Sequence, residues 1–230
     1  MSLDKVSKFS IVSAYAVVYF VWGSTYFFIE KALHWFPPFV LGSIRFIIAG
    51  SVLMTYCRLK GYKLFNKRDV KRAVFIGFLL LFVDMAAVIW AEQYISSAIV
   101  SILGAAAAIW FVLLDKPKWK ANFGSIPIVL GLILGFGGVV MLFGEQLVNS
   151  NSESGGYNII AMLVMIFGTI AWTVGSLYTK YMQDKKPTTE DRKIKPLNVM
   201  VKTAWQMVTA GVAFTVSAFI TGEYSTFSFA

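Results

Sequence analysis

Charge, cysteine and histidine are all scarce in this chain. Charged residues are 14% of its 230, too few to cover the surface of a water-soluble domain of that length. The single cysteine, Cys57, excludes an internal disulfide, and no Cys/His cluster has metal-ligand spacing. His34 is the only histidine and falls in a loop, a poor foundation for a histidine-based triad. Paired acids, HExxH and Gly-x-Ser-x-Gly are missing too, so an intramembrane enzyme lacks its usual constellations. No cofactor and no metal are expected.

Apolar residues are abundant instead, at 57%, with a mean hydropathy of +0.68. They come in blocks of about 20, the length a helix needs to cross ~30 Å of hydrocarbon. The fold class is therefore an all-α polytopic membrane protein, with the lipid bilayer as its solvent. A net charge of +9 raises nucleic acid as a partner, but the basic residues sit in short loops between apolar blocks. There they set orientation and do not bind a polyanion. The first apolar block is too long for a signal-peptide core and reads as a retained span.

Seven spans follow from block length and from breaks at charge, Pro and Gly: about 10–31, 38–57, 73–92, 95–114, 124–143, 157–179 and 198–220. Glu92 and Asp115, at span ends, read as solvated boundary residues. With the N-terminus cytoplasmic, 19 of the 21 lysines and arginines fall on the inner side, the exceptions being Lys31 and Arg45. The polar, acidic stretch from Gly144 to Gly156 then lies outside.

Val21-Trp22-Gly23-Ser24-Thr25-Tyr26 in span 1 has a degenerate copy, Ala171-Trp172-Thr173-Val174-Gly175-Ser176-Leu177-Tyr178, in span 6. Arg45-x-x-x-Ala49-Gly50 is answered by Gln206-x-x-x-Ala210-Gly211. The first unit starts inside and the second, after five spans, starts outside. That makes an inverted repeat about a pseudo-two-fold axis in the membrane plane, a form common among secondary transporters. The expected units are residues 1–146 and 156–230, the second with only two of its helices.

Several residues could carry function. Tyr15, Tyr19, Trp22, Tyr26 and Glu30 share one helix face. They suit a cavity wall; interfacial anchoring fits the ends of that stripe but not Trp22 near the midplane. Asp84 sits inside span 3, where a carboxylate costs ~2.5–3.5 kcal/mol on insertion scales. Substrate or proton handling is one reading, and a neutral Asp bonding a neighbouring helix is the other. Arg45 lies too deep for comfortable solvation, so it is expected to face the interior and pair with Glu30, or failing that with Asp84. Trp172 and Gln206 mirror Trp22 and Arg45. Gly131-x-x-x-Gly135 with Gly137 and Gly138 permits close packing, within the protein or in a homodimer. Gly23 and Gly175 either let their spans bend or mark close contacts.

Trp22-Gly23-Ser24-Thr25, Pro37-Pro38, Arg45-Phe46 with Ala49-Gly50, Gly144-Glu145, Ala171-Trp172 and Gln206 together resemble EamA-type members of the drug/metabolite transporter superfamily. The resemblance implies ten helices in two inverted five-helix halves around a central cavity, seven of which are present here. It also implies movement of small metabolites without ATP hydrolysis. On that basis the chain is a fragment or natural truncation of a protein of ~300 residues. Span 4 departs from the family pattern, with Gly104-Ala105-Ala106-Ala107-Ala108 where a Pro is frequent.

The leading expectation is a secondary-active, alternating-access exporter in the bacterial plasma (inner) membrane. Its solutes would be amino-acid-like, drug-like or related, with a proton as a candidate coupling ion. A seven-helix receptor or sensor explains the span count but not the repeat. A retinal-type sensor would also want a Lys within the last span, whereas Lys202 is near its cytoplasmic end.

Overall fold

A computed structural model describes residues 8–148, 155–184 and 196–226. Residues 149–154 of the acidic stretch and 185–195 of the loop that begins at Lys180 lie outside them. Among the described residues seven helices are long and apolar enough to cross a membrane. They are built from α1 (Lys8–Ala32), α2 (Pro38–Leu59), α3 (Lys67–Gly77) and α4 (Asp84–Ala91). After these come α5 (Ser97–Ala105), α6 (Ala107–Leu114), the short α7 (Trp119–Phe123), α8 (Ile126–Val148), α9 (Gly155–Asp184) and α10 (Val199–Ile220). A last turn, α11, covers Glu223–Thr226.

Local chemistry explains the helix starts. Pro38 opens α2, where its missing N–H and preset φ cost nothing. The next two amides, Phe39 and Val40, donate to Glu223 Oε2 at 2.8 and 3.1 Å. A carboxylate from just beyond α10 thus caps α2 and meets the positive end of its dipole. Glu223→Ala should cost about 0.5–2 kcal/mol, read as a lower melting temperature of the detergent-solubilised protein. Asn66 and Asn198 cap α3 and α10 through Arg68 N–H (3.2 Å) and Met200 N–H (2.9 Å).

The densest packing joins α2 and α10 through small residues. A Cβ on Gly50 would stand 2.9 Å from Val208 N and 3.2 Å from Met207 Cβ. One on Gly211 would stand 2.9 Å from Ile47 N and 3.2 Å from Phe46 C. In the register that aligns Arg45 with Gln206 and Gly50 with Gly211, Phe46 corresponds to Met207 and Ile47 to Val208. The contact is therefore reciprocal. Phe214 stacks on Phe46 (5.7 Å between ring centroids, 7° between planes) and meets Phe82 edge-on at 4.9 Å.

Two spans depart from regular helix. The third carries a π-helical stretch, Phe78–Val83, between α3 and α4. No sequence signal marks it. Such stretches widen the helix and recur at functional sites, and this one ends at Asp84. The fourth span breaks at Ala106, whose N–H is shared between Ile102 O (3.2 Å) and Leu103 O (3.1 Å).

The glycines divide. Gly175 is a close contact, its would-be Cβ 3.2 Å from Leu80 Cβ, while at Gly23 no atom of the described residues comes within 4 Å. Among the described residues Gly135 alone of the α8 glycines meets a neighbouring helix, at Ile109, 3.5 Å away; Gly131, Gly137 and Gly138 meet none of them.

Candidate functional site

Half-way along the bundle, α1, α4, α5, α6 and α9 enclose a pocket of about 580 Å³. Its walls include Tyr19, Trp22, Tyr26, Asp84, Gly104, Ala108, Phe111, Thr169 and Trp172. Five of the residues singled out in the sequence thus share one cavity: Tyr19, Trp22, Tyr26, Asp84 and Trp172. The two repeat-related tryptophans touch. Trp22 and Trp172 meet edge to face at 6.0 Å and 80°, and Phe111 meets Trp172 at 5.4 Å and 87°.

The run of small residues in span 4 makes the space. Tyr26 Oη lies so near Gly104 that a Cβ there would stand 2.7 Å from it. Ala105, Ala107 and Ala108 line the same wall. Asp84 is buried and contributes the carboxylate of this otherwise mostly apolar cavity. Gly168 admits the helix that carries it, since a Cβ there would lie 2.6 Å from Ala87 Cβ and 3.5 Å from Asp84 O. Aromatic faces and edges around one acid suit a solute with an apolar body and a cationic group.

Three expected members lie elsewhere. Gln206 faces a separate pocket of about 500 Å³ at the basic end of the bundle, with Arg68, Arg72 and Lys202. Gln206 backbone atoms also press on Gly77, where a Cβ would be 2.6 Å from Gln206 Cα. Glu30 lines a third pocket at the opposite end. Arg45 is exposed on the flank of α2, its guanidinium 5.5 Å from the Phe46 ring centroid.

The expected Arg45–Glu30 pair is corrected by this geometry. Glu30 Oε2 accepts from Ser97 N–H at 3.1 Å, at the start of α5. Among the described residues Arg45 makes no ion pair with Glu30 or Asp84. The physical reason is packing: α2 gives its small-residue face to α10, and α1 leans on α5 and not on its hairpin partner.

Glu92 and Asp115 correct the sequence reading as well. Both are buried, not solvated boundary groups. Asp115 accepts from Lys180 Nζ at 2.7 Å and from Tyr181 Oη, tying the end of α6 to α9 at the basic end. Burial alone would lift its carboxyl, but Lys180 and Tyr181 hold it below the usual carboxylate range. Sequence gave no hint of either environment, because each depends on a helix remote in the chain.

Residues 9–144 match the EamA-like transporter family. The chain is 31% identical over 214 residues to YedA, an uncharacterised inner membrane transporter of Escherichia coli strain K12, covering 93% of this chain and 63% of that protein. It is 19% identical over 201 residues to YoaV, an uncharacterised transporter of Bacillus subtilis strain 168, covering 87% and 63%. The chain thus spans about 63% of the length of the curated relatives it matches. No solved structure matches it. With seven apolar helices and this family match, the chain is an integral membrane protein that belongs to the EamA-like transporter family of the drug/metabolite transporter superfamily.

Proposed function

We propose that the protein is a secondary-active exporter of small metabolites, working by alternating access around the Trp22–Trp172 pocket. Its solutes are amino-acid-like or drug-like molecules with an apolar body and a cationic group, received by the aromatic wall and Asp84. The basic end faces the cytoplasm, because nineteen of the 21 basic residues are assigned to that side. The membrane is the bacterial inner membrane, as for the Escherichia coli relative.

One observation carries this reading. Residues matched by the sequence echo occupy related places: Trp22 meets Trp172 at the pocket, and Gly50 packs on Met207 and Val208 while Gly211 packs on their counterparts Phe46 and Ile47. These reciprocal contacts support the reading of an inverted-repeat transporter, in which rocking of one unit against the other exposes a midplane site to either side. The Asp115–Lys180 pair lies at the cytoplasmic end, so opening the α6–α9 gap there has to break it.

The test is an export and toxicity screen with amino acids and drug-like amines in cells expressing the protein. Ala108→Trp is the comparison, since Ala108 is exposed to the pocket and a large side chain there fills it. Protection or export should be reduced about tenfold or more in the variant at equal membrane abundance. Equal export by both would place the substrate path elsewhere.

A further inference from the structure

At the end of the bundle opposite the basic loops, Glu92 follows the last residue of α4 and is only 6% exposed. Among the described residues neither carboxyl oxygen has a hydrogen-bond partner. Its own N–H donates to Val88 O at 3.0 Å, which closes the helix. The carboxyl therefore sits at a helix C-terminus, where the carbonyl ends already present partial negative charge. Burial, missing donors and the dipole all disfavour the ionised form.

The neighbours are charged or titratable on several sides. From α1 come Glu30, Lys31 and the following His34, whose Nδ1 is 3.0 Å from Glu30 O. From α2 comes Arg45, which acts on Glu92 electrostatically without an ion pair. From α9 comes Tyr157, stacked at 5.5 Å on Tyr94 of the turn after Glu92. Glu30 is satisfied differently from Glu92, because it accepts Ser97 N–H at a helix start and meets the positive end of a dipole. A pocket of about 460 Å³, lined by Glu92, Glu30, His34 and Tyr94, gives access to this cluster.

We propose that Glu92 is a proton-binding site that exchanges its proton with water through the Glu30–His34 pocket. The proton leaves a water molecule or hydronium, forms an O–H bond on one Glu92 oxygen, and returns to water when that bond breaks. Burial first, then Glu30, push this carboxyl up to about 8, and Arg45 pulls it the other way. Built on the transporter reading, the site supplies a place for a coupling proton on the outer side. Proton binding itself does not depend on that reading.

The experiment is infrared difference spectroscopy of the purified protein in lipid nanodiscs, titrated from about pH 6 to about pH 10. The wild type should lose a protonated-carboxyl C=O band with a midpoint near 8. The isosteric Glu92→Gln should lack that band, and Asp84→Asn should keep it. Glu30→Gln should move the midpoint down and Arg45→Gln should move it up, each on the order of one pH unit. The assignment is overturned if no such band titrates in the wild type, if it survives in Glu92→Gln, or if the two midpoints move the other way. The spectrum is recorded without substrate. A protein that exports nothing yet shows the titration would sink the transporter reading and leave this site standing.

Discussion

Gly211→Leu and Gly50→Leu should each lower the melting temperature of the solubilised protein by about 5–10 °C. Both glycines lie where α2 and α10 touch backbone to backbone, and the atoms a new Cβ would strike include Val208 N and Ile47 N. A flexible side chain could swing aside, but main-chain atoms can yield only if the helices separate. Separation would also pull apart the stacked Phe46 and Phe214 rings. Gly131→Leu is the matched control, since no atom of the described residues lies within 4 Å of a Cβ there. It should melt within about 2 °C of the wild type. Thermal shift followed by size-exclusion fluorescence distinguishes these outcomes. If Gly211→Leu melted with the wild type, the α2–α10 contact would not be what holds this part of the bundle together.

The second large effect is on flux. Trp22→Ala and Trp172→Ala should each reduce export about tenfold or more, with the protein still inserted and folded. Trp22 is 51% exposed and packs mainly into the pocket, so its loss removes little core. The edge-to-face contact between the two rings is worth about 0.5–1.5 kcal/mol beyond its buried area, so stability should fall only modestly. Because the rings touch each other, the double variant should lose less flux than the product of the two single losses. Trp22→Phe should retain part of the activity, since it keeps an aromatic surface. Full flux in both alanine variants across every exported solute would remove these residues from the path.

Much of the architecture was legible from residue order. Trp22 with Trp172, and Gly50 with Gly211, correspond in an echo between two apolar blocks; the two tryptophans meet in the fold, and each glycine packs on the helix that carries the other. Asp84 stood out because a carboxylate inside an apolar span is costly wherever it points. The Arg45–Glu30 expectation failed for a different reason. It assumed that helices joined by a tight turn pack along each other, whereas α2 gave its face to α10 and α1 went to α5. Glu92 looked like a boundary residue because sequence records distance along a helix and not what covers its end.

Span lengths and the clustering of basic residues in alternate loops are properties of composition and spacing, so the chain alone determined a seven-span helical membrane protein. Which helices touch is set by competition among faces of similar hydropathy, and apolar pattern cannot rank them in a lipid solvent. The π-helical turn before Asp84, the break at Ala106, and the burial of Glu92 and Asp115 all result from that competition. Only the tertiary structure could decide them, because each depends on backbone shape and on neighbours from distant parts of the chain.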